Sequence, residues 1–223
     1  MTVRTLEVLP DAAAVARRGA YEVAAGASEA IAARGRFTFA VSGGHTPWAM
    51  FRALADQDLA WEAIVIWQVD ERVAPDGDPD RNLTSLIRAL PETVELHPMP
   101  VAEGDLDAAA ERYAASLPEA FDLVHLGMGD DGHTASLVPG DPVVETTDRS
   151  VALTREYRGR RRMTLTYPVL DRARRVLWLI TGEDKAAMVP RLVAGDPSIP
   201  AGRVSAEEQL VVADRAAAAE LAG

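Results

Sequence analysis

Asp131 and His133 stand one residue apart in the segment Gly127-Met128-Gly129-Asp130-Asp131-Gly132-His133-Thr134-Ala135-Ser136-Leu137-Val138-Pro139-Gly140. A carboxylate beside an imidazole can orient the ring and stabilise its protonated form. Imidazole titrates at ~6.5 in model peptides, which suits it to take a proton from water and return it near neutrality. Gly127, Gly129 and Gly132 frame the pair, marking backbone that turns sharply or lies close to a bound molecule. No serine in a G-x-S-x-G elbow accompanies the histidine, so activation of water is a simpler reading than covalent Ser–His catalysis. A lone histidine is more often a packing or surface residue, and His97 and His125 are read that way. His125 lies in an apolar run and is expected to be a hydrogen-bonded core residue.

Four further clusters have chemistry to offer. In Ser42-Gly43-Gly44-His45-Thr46-Pro47 two glycines let backbone N–H groups converge. A helix N-terminus behind them favours an anion, and the Ser42 and Thr46 hydroxyls add donors. No lysine follows as in a Walker A loop, and a tight turn with Thr46 as helix cap is the plainer alternative. Asp70-Glu71-Arg72 ends an apolar run, either as a solvated loop or as charges facing a ligand crevice. Gly182-Glu183-Asp184-Lys185 places the only lysine of the chain in a first helical turn, as surface charge or as a second clamp on a phosphate. Arg158 and the run Arg160-Arg161-Arg162 add cations, although three adjacent arginines on a strand cannot all point one way.

These clusters need elements to hold them. The run 121–126 has the length and character of a buried strand leading into the Asp131–His133 segment. Further strands are expected at 36–41, 63–69, 150–154, 163–166, 175–181 and 210–213. Helices are expected at 11–34, from the Thr46 cap to about Asp56, at 82–90, 105–116 and 183–194, and after an Asp214 cap. The alternation points to an α/β fold: a mostly parallel, Rossmann-like open sheet with helices on both faces. No repeat or linker composition divides the chain, so one domain over 1–223 is expected, with its first sheet strand near residue 36.

Bulk composition sets exclusions. The chain has 223 residues, 48% hydrophobic and 26% charged, and a formal net charge of -11. That acidity argues against nonspecific binding to nucleic acid or an anionic membrane. With no cysteine there is no disulfide and no cysteine-based zinc site or nucleophile. The four histidines form no H-x-x-x-H pair, so a histidine-held metal centre is not expected, with a carboxylate-held Mg²⁺ left open. No apolar stretch reaches membrane-spanning length, and a cytoplasmic protein is the expectation.

In this order, the segments resemble 6-phosphogluconolactonase of the bacterial type, in the superfamily that also holds glucosamine-6-phosphate deaminase and ribose-5-phosphate isomerase. The S-G-G-x-T-P loop matches at Ser42 to Pro47, and D-E-R with a later asparagine at Asp70 to Arg72 and Asn82. G-x-G-x-D-G-H-T-A-S-L-x-P-G matches from Gly127 to Gly140, R-x-T-L-T at Arg162 to Thr166, and G-x-x-K at Gly182 to Lys185. Three departures stand out: Arg81 replaces a serine, Val73-Ala74-Pro75 shifts a V-P, and Tyr157-Arg158-Gly159-Arg160-Arg161 replaces a proline-rich lead.

The resemblance implies hydrolysis of 6-phosphogluconolactone to 6-phosphogluconate in the oxidative pentose phosphate pathway, without metal or cofactor. It implies that Ser42, Gly43, Gly44 and Thr46, with Lys185 and Arg162, hold the phosphate. His133, oriented by Asp131, would activate water, and Arg72 or loop N–H groups would meet the oxyanion. Asp70 and Gly129 fall among the substrate-contacting positions, with Asp70-Glu71 open between touching substrate and ordering Arg72. A monomer binding a small phosphosugar lactone is expected. The deaminase is the first alternative, but it continues D-G-H-I-A-F-N-E-P, whereas Thr134 to Pro139 carries no acid. It also tends to have tyrosine where Arg72 stands. The second alternative, a non-catalytic sugar-phosphate sensor domain, usually carries an N-terminal helix-turn-helix that this sequence does not show.

Overall fold

The computed structural model describes residues 2–55 and 57–221. In chain order the first elements are β1 (Val3–Leu9), α1 (Ala12–Arg34), β2 (Phe37–Val41), α2 (His45–Leu54), β3 (Ile64–Gln68) and β4 (Asp70–Arg72). There follow α3 (Asn82–Ala89), β5 (Glu95–His97), α4 (Leu106–Ser116), β6 (Leu123–Leu126), β7 (Val151–Leu153) and β8 (Arg162–Leu165). The chain ends with α5 (Tyr167–Leu170), β9 (Val176–Ile180), α6 (Val189–Ala194), α7 (Pro200–Arg203) and β10 (Glu208–Asp214).

Seven strands form one sheet in the order β1-β10-β9-β6-β2-β3-β5, and every neighbouring pair runs parallel. β2, β3, β6 and β9 are buried along their whole length, as strands covered on both faces must be. Side-chain alternation splits them between two apolar layers. Phe37, Phe39 and Val41 pack with α1 and α2, while Ala40, Val124 and Leu126 pack with α4 and the segments beyond it. Sequence order runs outward from β2 through β3 to β5, then resumes on the other side at β6, β9 and β10. The order therefore reverses between β2 and β6, and open α/β sheets bind ligands in the crevice at such a point. The loops after these two strands carry Gly43 and Gly129.

The expected α/β, mostly parallel sheet is present, with differences in detail. The first strand is β1, not the one near residue 36; it is an edge strand whose residues alternate between exposed and half-buried, with Arg4 and Glu7 interrupting any apolar run. β5 is only three residues long and shows no strand pattern in the sequence. The strands expected at 150–154 and 163–166 do not join the main sheet: β8 pairs antiparallel with both β4 and β7 in a second sheet ordered β4-β8-β7. Asp70-Glu71-Arg72 is thus a strand, not a solvated loop. α2 begins at His45 with Gly44 as its cap, so Thr46 lies within the first turn. Its expected end near Asp56 lies outside the described residues, and the helix is complete by Leu54. The helix expected over 183–194 is broken into a short 3₁₀ turn, Glu183–Lys185, and α6, where Pro190 enters the first turn and cannot donate to a preceding one. Asp214 does accept a hydrogen bond from the Ala217 N–H at 2.8 Å, but it caps a series of turns rather than a helix.

His125 also departs from expectation. It points to the same face as Leu123 and is fully buried, and neither ring nitrogen has a hydrogen-bond partner. Burial pulls its pKa from 6.5 down to about 3. The unfolded chain therefore binds this proton first, so His125 contributes a loss of stability as pH falls from about 6.5 towards 3. Urea unfolding of His125→Leu should show a shallower loss of stability between pH 7 and pH 4 than the parent protein. An unchanged pH dependence would clear His125 of this role.

Candidate active site

A cleft of about 560 Å³ opens at the carboxyl ends of the central strands. Ser42, Gly43 and Gly44 line it from the β2–α2 loop, Thr46 from the first turn of α2, and Gly129 and His133 from the loop after β6. Asp70, Arg72 and Arg162 enter from the second sheet, and Lys185 from the turn after β9. The structure thus brings together all the residues that the sequence marked as lining the site, and Asp131 stands directly behind His133.

The Asp131 carboxylate is held at both oxygens. Its Oδ1 lies 2.6 Å from His133 Nδ1 and accepts the His133 backbone N–H at 3.0 Å, while Oδ2 accepts the Tyr157 hydroxyl at 3.1 Å. Asp131 therefore orients the ring and shapes the loop at once. Partial burial pushes its pKa upward, but the His133 backbone N–H, the imidazole and the Tyr157 hydroxyl outweigh burial and hold it below the usual carboxylate range. With Nδ1 engaged, Nε2 is the nitrogen left for chemistry. Gly129 makes this geometry possible by lacking a side chain. A Cβ there would sit 2.0 Å from His133 Nδ1 and 2.7 Å from Asp131 Oδ1. Thr134 Oγ1 donates to the Gly127 carbonyl at 2.8 Å and closes the loop behind the pair.

Facing this pair are donors and cations, with the carboxylates of Asp70, Asp130 and Asp184 among them, Asp130 accepting from Arg158 at 3.0 Å. Gly44 caps α2 with no side-chain hydrogen bond, leaving the first amides of a ten-residue helix unclaimed by any side chain. The Ser42 hydroxyl is buried without a partner, and Thr46 Oγ1 meets Thr181 Oγ1 at 3.0 Å. Lys185 Nζ pairs with Asp184 at 2.8 Å. Arg72 and Arg162 are direct cross-strand partners of β4 and β8, and the Nε of each is buried with no acceptor. Like charges set opposite one another repel, and an anion between them relieves this. Burial lowers the Arg162 pKa; Asp70 opposes that shift and Arg72 reinforces it.

Both acids of the Asp70-Glu71 pair are committed inside the protein. Asp70 Oδ2 accepts the Ser136 hydroxyl at 2.6 Å, and Ser136 Oγ in turn accepts Arg162 Nη1 at 3.5 Å. Glu71 is wholly buried and accepts Gln68 Nε2 and the backbone N–H groups of Arg72, Asn82 and Leu83, each at 2.8 Å. It thereby caps α3 from a distance and fixes the backbone of Arg72. Arg81, the departure from the expected serine, is buried beside Glu71 and pairs with Asp76, so it serves this scaffold. Of the basic run, only Arg158 and Arg162 reach the cleft. Arg160 pairs with Asp78 and Asp80, and Arg161 donates to the Thr154 carbonyl.

Sequence reasoning missed Tyr157. It opens a two-residue turn closed by Tyr157 N–H to Arg160 O at 2.9 Å, with positive φ at both Arg158 (50°) and Gly159 (78°). That pattern is a type I′ turn, normally signalled by Asn-Gly or Asp-Gly; Arg-Gly hides it. Among the described residues, no group of three or more His, Asp or Glu is placed to hold a metal ion.

Fold and cleft together define an α/β protein with a polar, arginine- and lysine-bearing cleft at the switch point of its sheet. Residues 10–212 match the family model described as glucosamine-6-phosphate isomerases/6-phosphogluconolactonase, and the chain belongs to that family. A 6-phosphogluconolactonase of a Synechocystis strain is 37% identical over 202 residues, covering 82% of this chain and 84% of that protein. The 6-phosphogluconolactonase of Mycobacterium tuberculosis is 35% identical, covering 97% of this chain and 98% of its own length. A solved 6-phosphogluconolactonase structure from Thermotoga maritima has a TM-score of 0.85 at 24% identity, covering 95% of this chain and 100% of that one. A monomeric glucosamine-6-phosphate deaminase reaches a TM-score of 0.83 at 19% identity, covering 99% and 100%. These two likenesses establish the fold alone.

Gly129 and Gly43 should separate the two halves of the cleft. Gly129→Ala drives a methyl group into the Asp131–His133 contact and should lower kcat by on the order of a hundredfold with a smaller change in KM. At Gly43 a Cβ would lie 1.8 Å from Asn82 Oδ1, whose amide nitrogen donates to Asp70 O at 3.0 Å, so Gly43→Ala should act mainly on KM. Steady-state kinetics with circular dichroism as a folding control decides. Wild-type kcat in Gly129→Ala would contradict the close approach.

Proposed function

We propose that this protein hydrolyses 6-phosphogluconolactone to 6-phosphogluconate by histidine-activated water, as a single cytoplasmic domain that works as a monomer without cofactor or nucleic-acid partner. The observation that carries the mechanism is the 2.6 Å contact between His133 Nδ1 and Asp131 at one wall of the cation-lined cleft. The phosphate sits against the Ser42–Thr46 loop and the α2 N-terminus, with Lys185 and Arg162 as counter-charges. Holding a remote phosphate places the lactone carbonyl without entering the bond changes.

His133 Nε2 removes a proton from water as the water oxygen bonds to the lactone carbonyl carbon. The carbonyl π electrons move to oxygen, giving a tetrahedral oxyanion. Arg72 is the favoured donor to that oxygen: its Nε has no partner, whereas the Gly129 N–H is already given to the His133 carbonyl at 2.8 Å. Collapse breaks the bond to the ring oxygen, which takes the proton from the imidazolium, and neutral His133 is restored. The overall change adds one water across one C–O bond. In a chain of net charge -11, Arg72, Arg158, Arg162 and Lys185 outnumber Asp70, Asp130 and Asp184 around the cleft, a local positive excess that favours a phosphorylated substrate.

The fold does not separate lactonase from deaminase; the residues after His133 do. Ser136 and Leu137 are fully buried, and no acid follows them before Asp141. His133→Gln should lower the enzymic rate by about 10²–10⁴-fold, read as acid release above spontaneous hydrolysis. Lys185→Ala should raise KM with kcat little changed, the pattern of lost uniform binding. Near wild-type hydrolysis by His133→Gln would sink the mechanism, and ammonia released from glucosamine 6-phosphate without lactone hydrolysis would sink the activity.

A further inference from the structure

We propose that Tyr157 is a positioning residue for this reaction, completing a Tyr157–Asp131–His133 relay; the role rests on the reading of His133 as the base. Its hydroxyl donates to Asp131 Oδ2 at 3.1 Å, while Oδ1 of the same carboxylate holds His133 Nδ1. Its ring stands edge-on to the imidazole, with centroids 5.5 Å apart and planes at 66°. One side chain therefore fixes the ring of the base and the carboxylate that orients it.

The contact has to be delivered from a distance, because Tyr157 and Asp131 lie on different segments, 26 residues apart. The tight turn at Arg158-Gly159 brings it there, with the Tyr157 backbone closed on Arg160. Burial and the Asp131 carboxylate both raise the Tyr157 pKa, so the hydroxyl stays protonated as a donor throughout the neutral range. The Arg162 guanidinium lies 5.0 Å from the centre of the Tyr157 ring. The two parts of Tyr157 have separate duties: the hydroxyl acts on the base through Asp131, and the ring supports the arginine assigned to phosphate.

That division makes the proposal testable by kinetics. Tyr157→Phe keeps the ring on His133 and Arg162 and removes one hydrogen bond, so kcat should fall about fivefold with KM within about twofold. Tyr157→Ala should show the same or a larger loss of kcat and, in addition, a raised KM. In an Asp131→Ala background the hydroxyl has no carboxylate to hold, so adding Tyr157→Phe should lower kcat no further. Thermal melts confirm that the variants being compared are folded. Wild-type kcat in Tyr157→Phe overturns the proposal, and so does a fivefold loss that persists in the Asp131→Ala background. Retained activity in His133→Gln would instead remove the base reading beneath it. Loss there with an unaffected Tyr157→Phe leaves the base reading standing and rejects only Tyr157.

Discussion

Parallel pairing of β2 with β6 is the constraint on which the site depends. These strands are neighbours in the sheet, yet 81 residues of chain, 42 to 122, lie between the end of one and the start of the other. Both run in the same direction, so both of their following loops emerge at one edge. The loop after β2 brings a helix N-terminus with no side-chain cap, and the loop after β6 brings the imidazole. The ends proposed to bind the anion and to transfer the proton thus meet without either loop needing to be long. Glycine is required at Gly43 and Gly129 for the same reason: Asn82 in one case and His133 in the other occupy the volume of a Cβ.

The second sheet adds charge to this geometry. β4 and β8 place Arg72 and Arg162 opposite one another, an arrangement that is costly by itself in a half-dry cleft. The protein offsets that cost with buried acids. Asp70 reaches Arg162 through Ser136, and Glu71 holds the Arg72 backbone along with the first turn of α3. Every hydrogen bond to Glu71 comes from the protein itself, so its carboxylate works as scaffold. Asp70 and Glu71 are engaged internally, while Asp130 and Asp184, which also line the cleft or its rim, pair with Arg158 and Lys185.

Much of this was legible in the sequence, and what was hidden has physical causes. Buried parallel strands such as β2, β6 and β9 show as mostly apolar runs, and the glycines that follow them at Gly43, Gly127 and Gly182 mark the crevice. β1 escaped notice because an edge strand alternates and carries charge, and β5 because three residues hold no pattern. The antiparallel sheet was invisible because local sequence sets strand character, not which sheet a strand joins. Thr46 looked like a cap, but positive φ at Gly44 starts the helix two residues earlier. The contact between Asp131 and His133 was legible from type and spacing alone. Tyr157 was missed because its contribution arises from a turn with Arg158 at φ 50°, a conformation that arginine rarely adopts. Likewise, nothing in an apolar strand distinguishes a bonded histidine from the unpartnered one at His125.

The central claim is that one cleft holds the phosphate at the α2 end and presents the reacting carbon to His133. A crystal structure with 6-phosphogluconate bound tests it most directly. The phosphate should lie among the Ser42–Thr46 amides, Lys185 and Arg162, with the newly formed carboxylate within ~3.5 Å of His133 Nε2. A phosphate seated against His133, or a carboxylate out of reach of its Nε2, would contradict it.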